Sequence, residues 1–173
     1  MESLKINKVQ IRNLQIEDYT QLSQSFKRVY SDGSDVFWTH KQIEKLIKIF
    51  PEGQIVTVVD EKIVGCALSI ILDYDKVKND HTYAQVTGKE TFDTHNPDGN
   101  ILYGIEVFIH PDYRGLRLAR RMYEYRKELC ETLNLKAIMF GGRIPNYHKY
   151  ADKIRPKEYI DKVRQKEIYD PVQ

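Results

Sequence analysis

Apolar and polar residues recur along the chain with two periods, one of two residues and one of three to four. The segment VQIRNL (9–14) alternates as a half-buried strand does. Asp18 then stands near the start of a stretch whose apolar residues have helical spacing. These residues are Leu22, Phe26 and Val29. The N-terminal part of the chain is therefore predicted to be a strand followed by a helix.

A second helix is predicted between Thr39 and Pro51. Thr39 is a residue type that caps helices, and Pro51 with Gly53 ends the pattern. Between them, Ile43, Leu46, Ile47 and Phe50 follow the i, i+3, i+4, i+7 spacing of one helical face. The next segment, QIVTVVDEKIVGCALSIIL, predicts two strands joined by a tight turn at residues 60–62.

The second half of the chain predicts a strand, a helix and another strand. ILYGIEVFIH (101–110) is a strongly apolar strand, and the turn 112–115 leads into a helix over residues 118–133. The apolar stripe of this helix consists of Leu118, Met122, Tyr125, Leu129 and Leu133. KAIMFGG follows as a short strand, so the two strands are expected to pair in parallel through a right-handed crossover.

Residues 73–100 form a polar segment without a sustained period, which is long for a loop in a compact domain. The segment holds five aspartates and one glutamate against three lysines. Such an insertion loop either lines a functional site or is a solvated surface excursion, and both interpretations stay open. His81 and His95 lie in it without the regular spacing of a metal site, so no metal is assigned.

Composition and charge restrict the classes of protein. The 173 residues are 41% hydrophobic, which suits one domain with a core. A net charge of only +2 argues against a nucleic-acid binder. The chain shows neither an apolar run of membrane-spanning length nor a signal segment, so no membrane association is expected. Cys66 and Cys130 are interpreted as free core thiols, which predicts a cytoplasmic protein.

The turn between strand 101–110 and the helix at 118 has the features of an anion site. A helix N-terminus offers unpaired N–H groups, and Gly115 allows close approach to the backbone. Arginines surround this turn at positions 114, 117, 120 and 121. The residues alone are compatible with two interpretations, a site for a phosphate-bearing ligand or a solvated basic helix end.

The segment VFIHPDYRGLRLARRMY resembles the acetyl-CoA signature of the GNAT superfamily of N-acetyltransferases. The motif positions are Arg114, Arg117 and Ala119, with Gly115 at an additional glycine position. With FGGRIPNYHKYAD, the sequence is similar to the GNAT domain that precedes a carbon–nitrogen hydrolase in bifunctional proteins. The resemblance implies one GNAT-like domain over residues 1–173, an α/β fold with a mixed twisted sheet flanked by helices.

The resemblance also implies the cofactor and its contacts. Acetyl-CoA is expected as co-substrate, with its pantetheine arm along the backbone of Val107, Phe108 and Ile109 and its pyrophosphate on the N–H groups from 115 to 120. The expected cofactor residues beyond that strand are Arg114, Gly115, Leu116, Arg117, Leu118, Ala119, Arg120 and Asn146. Arg117 replaces the family's glycine, and N–H contacts to the pyrophosphate are expected if the backbone there is helical.

Two residues are candidates for proton transfer. Glu106 is a carboxylate inside an apolar strand and is the candidate base that deprotonates the amine; the alternative is a structural ion pair with an arginine. Tyr150 is the candidate acid for the departing thiolate, with core packing as the alternative. The family's tyrosine position falls on Lys153, so the tyrosine is displaced.

The activity implied is direct acetyl transfer to an amine in a ternary complex. The acidity of segment 73–100 favours a cationic amine, on a small molecule or a peptide. A GNAT-like domain that binds CoA as a sensor or scaffold is the alternative. The C-terminal stretch IRPKEYIDKVRQKEIYDPVQ is interpreted as one amphipathic helix with Tyr159, Ile160 and Val163 on its apolar side, in place of the two final GNAT strands. An open sheet edge at 137–141 and a possible homodimer are therefore predicted.

Overall fold

A five-stranded sheet forms the centre of the protein in the computed structural model, which describes residues 6–30, 37–78 and 81–170. The strands follow chain order across the sheet: β1 (Val9–Asn13), β2 (Ile55–Val59), β3 (Lys62–Leu72), β4 (Ile101–Ile109) and β5 (Ala137–Phe140). The first three pairings are antiparallel, whereas β4 and β5 are parallel. The predicted parallel pair through a helical crossover is thus confirmed.

Helices cover both faces of this sheet. Their bounds are α1 (Tyr19–Val29), α2 (His40–Ile49), α3 (Tyr74–Val77), α4 (Tyr83–Val86), α5 (Leu118–Thr132) and α6 (Pro156–Arg164). Phe26 of α1 and Leu46 of α2 share one core with Phe108 of β4. On the opposite face, Met122 of α5 packs against Ala67 of β3. The two faces of the sheet are therefore covered by different helices, and side chains reach both faces because they alternate along each strand.

The local signals at the second helix and the hairpin are confirmed. The Thr39 side chain accepts from the N–H of Gln42, whose own side chain returns to Thr39 in a capping box. Asp60 and Glu61 have φ values of 44° and 67°, the left-handed pair that a two-residue hairpin turn needs. Both elements therefore form where their sequence chemistry predicts.

The insertion segment 73–100 is more ordered than its polarity predicted. In its described part, α3 and α4 form, and Val86 and Phe92 are buried at 1% exposure. Phe92 packs edge-on against Trp38, with ring centroids 5.3 Å apart. A few apolar residues anchor a largely polar segment, and such sparse anchors give no periodic signal.

The two histidines of this segment hold it to the sheet. His95 Nδ1 accepts from the N–H of Ile71 at 3.0 Å, and its ring stacks on Phe50. His81 Nε2 lies 3.1 Å from the Tyr103 hydroxyl. Both side chains have structural contacts to β3 or β4 that the sequence did not indicate.

The apolar stripe of α5 differs from the prediction at its C-terminal end. Leu118 and Met122 are buried as expected, but Leu133 follows the helix and is 39% exposed. Arg126 and Cys130 occupy the inward positions instead. Cys130 and Cys66 are free and buried, as predicted. A pattern that counts only apolar positions cannot predict a charged residue on the inner face of a helix.

The chain divides into two compact units, Met1–Phe140 and Gly141–Gln173. The second holds a 3₁₀ helix (Pro145–Lys149) and α6, with Tyr159 fully buried. α6 is shorter than the single long helix predicted, although Tyr159 and Val163 do form its buried side. No strand follows Phe140 among residues 141–170, in line with the missing final strands, and residues 171–173 lie outside the description. The single-domain interpretation stays a prediction.

None of the helices in the described ranges is both long and apolar enough to cross a bilayer.

Candidate active site

A β-bulge interrupts β4 beside the predicted base. Leu68 of β3 pairs with Glu106, and the next residue, Ser69, pairs with Gly104. Ile105 is therefore the extra residue, and a bulge of this kind puts two successive side chains on one face. Ile105 belongs to the core under α1, and Glu106 is reached from the same face by Tyr30. The bulge thus directs Glu106 out of the regular strand alternation.

The same strand has an open backbone edge beyond the bulge. β5 pairs with β4 only from Ile101 to Gly104, whereas β4 continues to Ile109. We call residues 105–109, on the side away from β3, the open edge of β4. No strand among residues 6–30, 37–78 and 81–170 pairs with it. Such an edge can hydrogen-bond to an extended ligand as a further strand would.

The register shows which backbone groups face this edge. The His110 N–H donates to the Val64 carbonyl, so His110 and alternate residues before it direct their polar groups to β3. Val107 and Ile109 then direct theirs to the open edge. Phe108 differs from the prediction, because alternation turns its backbone toward Cys66 and its side chain is buried against Phe26.

Glu106 is half-buried and accepts hydrogen bonds at one carboxylate oxygen. The Tyr30 hydroxyl and the N–H of Val107 each lie 3.1 Å from Oε1. The carboxylate therefore sits at the start of the open edge, within reach of a group bound there. Either the base or the structural ion pair of the sequence interpretation is compatible with these contacts.

Tyr83 is a residue at this site that sequence reasoning missed. Its hydroxyl donates to the carbonyl oxygen of the bulge residue Ile105 at 3.1 Å. Burial, and then the neighbouring charge of Glu106, raise the pKa of the Tyr83 phenol above its ordinary value. Tyr83 thus keeps its proton at neutral pH beside the candidate base. Nothing in the sequence indicated this position of Tyr83 beyond its place in the polar segment 73–100.

The turn after β4 has a backbone suited to an anion. A 3₁₀ helix (Pro111–Tyr113) leads to Gly115, whose φ of +82° is accessible mainly to glycine. Arg117 has φ 57° and ψ 22°, so its backbone is left-handed. The expected contacts of the pyrophosphate were conditional on a helical backbone at this residue, and that condition is not met. The reversal there lets the chain enter α5 from the turn. Left-handed backbone in a non-glycine residue is strained, and such strain concentrates at functional sites.

N–H groups converge next to this turn. The first intrahelical bond of α5 runs from the N–H of Arg121 to the Arg117 carbonyl, so the N–H groups of residues 118–120 have no partner within the helix. A cavity of about 270 Å³ lies there. Its lining consists of Ile109, Tyr113, Arg114, Gly115, Arg117, Leu118 and Ala119. Helix dipole and N–H groups therefore favour a phosphate even without right-handed backbone at 117.

The side chains of the turn divide into an anchor and a solvent-exposed set. Leu118 is 3% exposed and packs with Val59 and Val64, which fixes the start of α5 on the sheet. The exposed residues are Arg114, Gly115, Leu116, Arg117, Ala119 and Arg120. Arg120 Nε lies 3.0 Å from Glu124 Oε1, an exposed pair that contributes little to stability. The arginines are thus accessible to a ligand from solvent.

Asn146 and Tyr150 belong to the second unit and have contacts within it. Asn146 donates its N–H to Asp170 and its side-chain amide to the Tyr169 carbonyl. The Tyr150 ring packs 5.3 Å from that of Tyr159. The packing alternative for Tyr150 therefore has a structural basis, and the cofactor role of Asn146 and the acid role of Tyr150 stay predictions.

Comparison with known proteins agrees with this geometry. The sequence profile of the Acetyltransferase (GNAT) family matches residues 10–151. The Bacillus subtilis proteins "Probable hydrolase YhcX" and "Uncharacterized N-acetyltransferase YkwB" are 38% and 31% identical over 95% and 80% of the chain. The chain spans 32% of the length of YhcX and 61% of that of YkwB.

A solved structure shows the same fold. It is "GphF GNAT-like decarboxylase in complex with isobutyryl-CoA", with a TM-score of 0.71, 18% identity, and coverage of 94% of this chain and 80% of that one. The mixed sheet flanked by helices is therefore the expected fold, and a protein of this fold binds a CoA thioester.

Proposed function

Because the chain belongs to the GNAT family of acetyltransferases, we propose that it transfers an acetyl group from acetyl-CoA to a primary amine. The observation that carries the proposal is the continuity of the chain along β4 and beyond it. One stretch holds the bulge at Glu106, the open edge and the turn at residues 110–117, which we call the anion turn. At about 3.3 Å per residue, Glu106 lies about 10 Å along the strand from Ile109, where the turn cavity begins.

The proposed cofactor position follows from these groups. The pyrophosphate accepts from the N–H groups at the start of α5, and Arg114 and Arg117 add positive charge. The pantetheine arm runs along the open edge, where Val107 and Ile109 offer backbone donors and acceptors. The acetyl group then lies at the bulge. CoA supplies the activated thioester, and the chain supplies its position.

The proposed chemistry uses Glu106 as base. An ammonium group has no lone pair, so the carboxylate first takes a proton and the neutral amine then attacks the thioester carbon. The new N–C bond forms as the C–S bond breaks, and the CoA thiolate takes a proton. The N–H of Val107 faces the open edge and is placed to stabilise the oxyanion, provided that Glu106 Oε1 releases it.

The proton for the thiolate has two proposed sources. Tyr83 lies at the bulge, where its hydroxyl donates to the Ile105 carbonyl, and this position supports it, whereas the raised pKa of its phenol works against proton release. Tyr150 comes from the resemblance alone. A cationic amine, on a small molecule or peptide, is the proposed acceptor, because segment 73–100 is acidic and Glu106 carries a carboxylate.

The alternative proposal is a domain that binds CoA as a sensor and transfers nothing. Arg117 in place of glycine and Lys153 in place of the family's tyrosine are the observations in its favour. It predicts ligand binding without turnover.

Release of free CoA in the presence of an amine panel tests the proposed function, with Glu106→Gln as the diagnostic variant. We expect the variant to bind acetyl-CoA but to lose activity at neutral pH, with the loss shrinking at higher pH as free amine accumulates. Glu128→Gln, an exposed change on α5, is the matched control and should retain activity. Full activity of Glu106→Gln would exclude Glu106 as the base.

A further inference from the structure

Arg126 is a guanidinium in an apolar position of the core. It lies on the inner face of α5, one turn after Met122 and one before Cys130, and is 2% exposed. Burial lowers the pKa of Arg126, with a partial offset from Tyr123 and Cys130. Arginine is almost never fully buried unless it is paired, so its presence here needs an explanation.

The guanidinium has donors without acceptors. Within the described part of the chain, Nε, Nη1 and Nη2 of Arg126 have no hydrogen-bond partner. The ring of Tyr123 lies 5.4 Å from Arg126 Cζ and provides a cation–π contact. A ring face satisfies none of the five N–H directions, and a buried charge without a counterion is strongly destabilising. The missing partner is therefore an acceptor that carries negative charge.

The position of the guanidinium relates it to the candidate site. A Cβ built on Gly104 would lie 2.5 Å from Arg126 Nη2 and 3.3 Å from the Cβ of Phe140. Gly104 and Phe140 are the last pair between β4 and β5, and the bulge residue Ile105 follows immediately. The absence of a side chain at Gly104 thus leaves room for the guanidinium over the last residue of β4 that pairs with β5, next to the residue where the open edge begins.

An acetyl group carries no charge and cannot neutralise the guanidinium. A longer acyl chain with a terminal carboxylate, extending past Ile105 toward Gly104, would offer two acceptor oxygens to a planar guanidinium in the bidentate geometry that arginine favours. We propose that Arg126 recognises the carboxylate of a dicarboxylic acyl group, so that the preferred acyl donor is an ω-carboxyacyl-CoA. This inference rests on the CoA site of the proposed function.

The test is calorimetric binding of acetyl-CoA, butyryl-CoA, succinyl-CoA and glutaryl-CoA to the whole chain. One of the two carboxyacyl thioesters should bind about tenfold more tightly than butyryl-CoA, since a charge-assisted hydrogen bond contributes more than the free energy of a tenfold change. The preference should vanish in Arg126→Met. It should persist in Lys127→Met, which removes a positive charge from the solvent side of the same helix.

A second readout separates recognition from a structural role. Without ligand, Arg126→Met should melt at a higher temperature than the parent chain, because it removes an uncompensated buried charge. A structural role predicts a lower melting temperature and an unchanged order of acyl preference. Equal affinity of the parent chain for butyryl-CoA and both carboxyacyl thioesters would overturn the inference while leaving the CoA site intact. Failure of every thioester to bind would instead overturn the proposed function.

Discussion

Substitution of Gly115 by valine separates backbone strain from ligand binding at the anion turn. Gly115 has φ +82°, and no atom lies within 4 Å of an added Cβ, so the free protein meets strain without a clash. Left-handed backbone costs an L-residue about 1–2 kcal/mol, and reduced entropy of the unfolded chain returns about 0.4–1 kcal/mol. We expect a net loss of about 1 kcal/mol, or a Tm lower by about 2–4 °C.

The effect on ligand binding should be larger. At a hundredfold excess over its Kd, acetyl-CoA should stabilise the parent chain by about 2.7 kcal/mol, which corresponds to a Tm increase of about 5–11 °C. The valine side chain of Gly115→Val would project into the open space beside the turn, where the pyrophosphate is proposed to lie. The ligand-induced increase should therefore disappear in thermal melts of this variant.

Gly142 provides the matched control. A Cβ at Gly142 also meets no atom within 4 Å, but its φ lies outside the left-handed range. Gly142→Val should change stability by less than about 0.5 kcal/mol and keep the full increase with acetyl-CoA. If Gly115→Val retained the same ligand-induced increase as the parent, the pyrophosphate assignment would be refuted.

Three further outcomes are expected. Tyr83→Phe should lower turnover by about a hundredfold or more at unchanged acetyl-CoA affinity if Tyr83 supplies the proton, whereas equal rates would leave Tyr150 as the candidate. Burial lowers the pKa of His95 below 6.5, so the unfolded chain binds more protons than the folded chain near this pH. The urea midpoint of unfolding should therefore fall as pH decreases through about 6.5. A midpoint of the parent chain that does not change with pH, or an equal pH dependence in His95→Asn, would contradict this. Because β5 is an edge strand and Phe140 is 51% exposed, light scattering should show a dimer, and a stable monomer would contradict the prediction.

The strands and the longer helices could be predicted because their signals are local. Thr39 and Gln42 form a capping box from residues three apart, and the hairpin at Asp60 needs only its own turn chemistry. The turn at which we propose an anion site could be predicted for the same reason, since β4, Gly115 and the start of α5 are contiguous in the chain.

Features that depend on pairing between distant residues could not be predicted. The bulge at Ile105 exists only in the register against Leu68 and Ser69, and it decides where Glu106 points. Tyr83 reaches the site because Phe92 and Val86 anchor a polar segment that has no period. Arg126 broke the apolar stripe of α5, and the pattern instead favoured Leu133.

The backbone at Arg117 does not meet the condition on which the expected pyrophosphate contacts depended, which was a helical backbone at this residue. Left-handed backbone is costly for residues with a Cβ. The chain nevertheless reverses there to enter α5, with φ 57°. The N–H groups proposed to bind the pyrophosphate belong to residues 118–120 at the start of α5, so the proposal does not require a helical backbone at Arg117.

The most direct test of acetyl transfer is mass spectrometry of the amine acceptor, with acetyl-CoA consumption measured in the same reaction. The proposed function predicts an N-acetylated product that forms only with enzyme, amine and acetyl-CoA together, in an amount equal to the CoA released. Stabilisation of the protein by acetyl-CoA without any N-acetylated product across cationic and neutral amines would contradict it and favour the CoA-binding sensor.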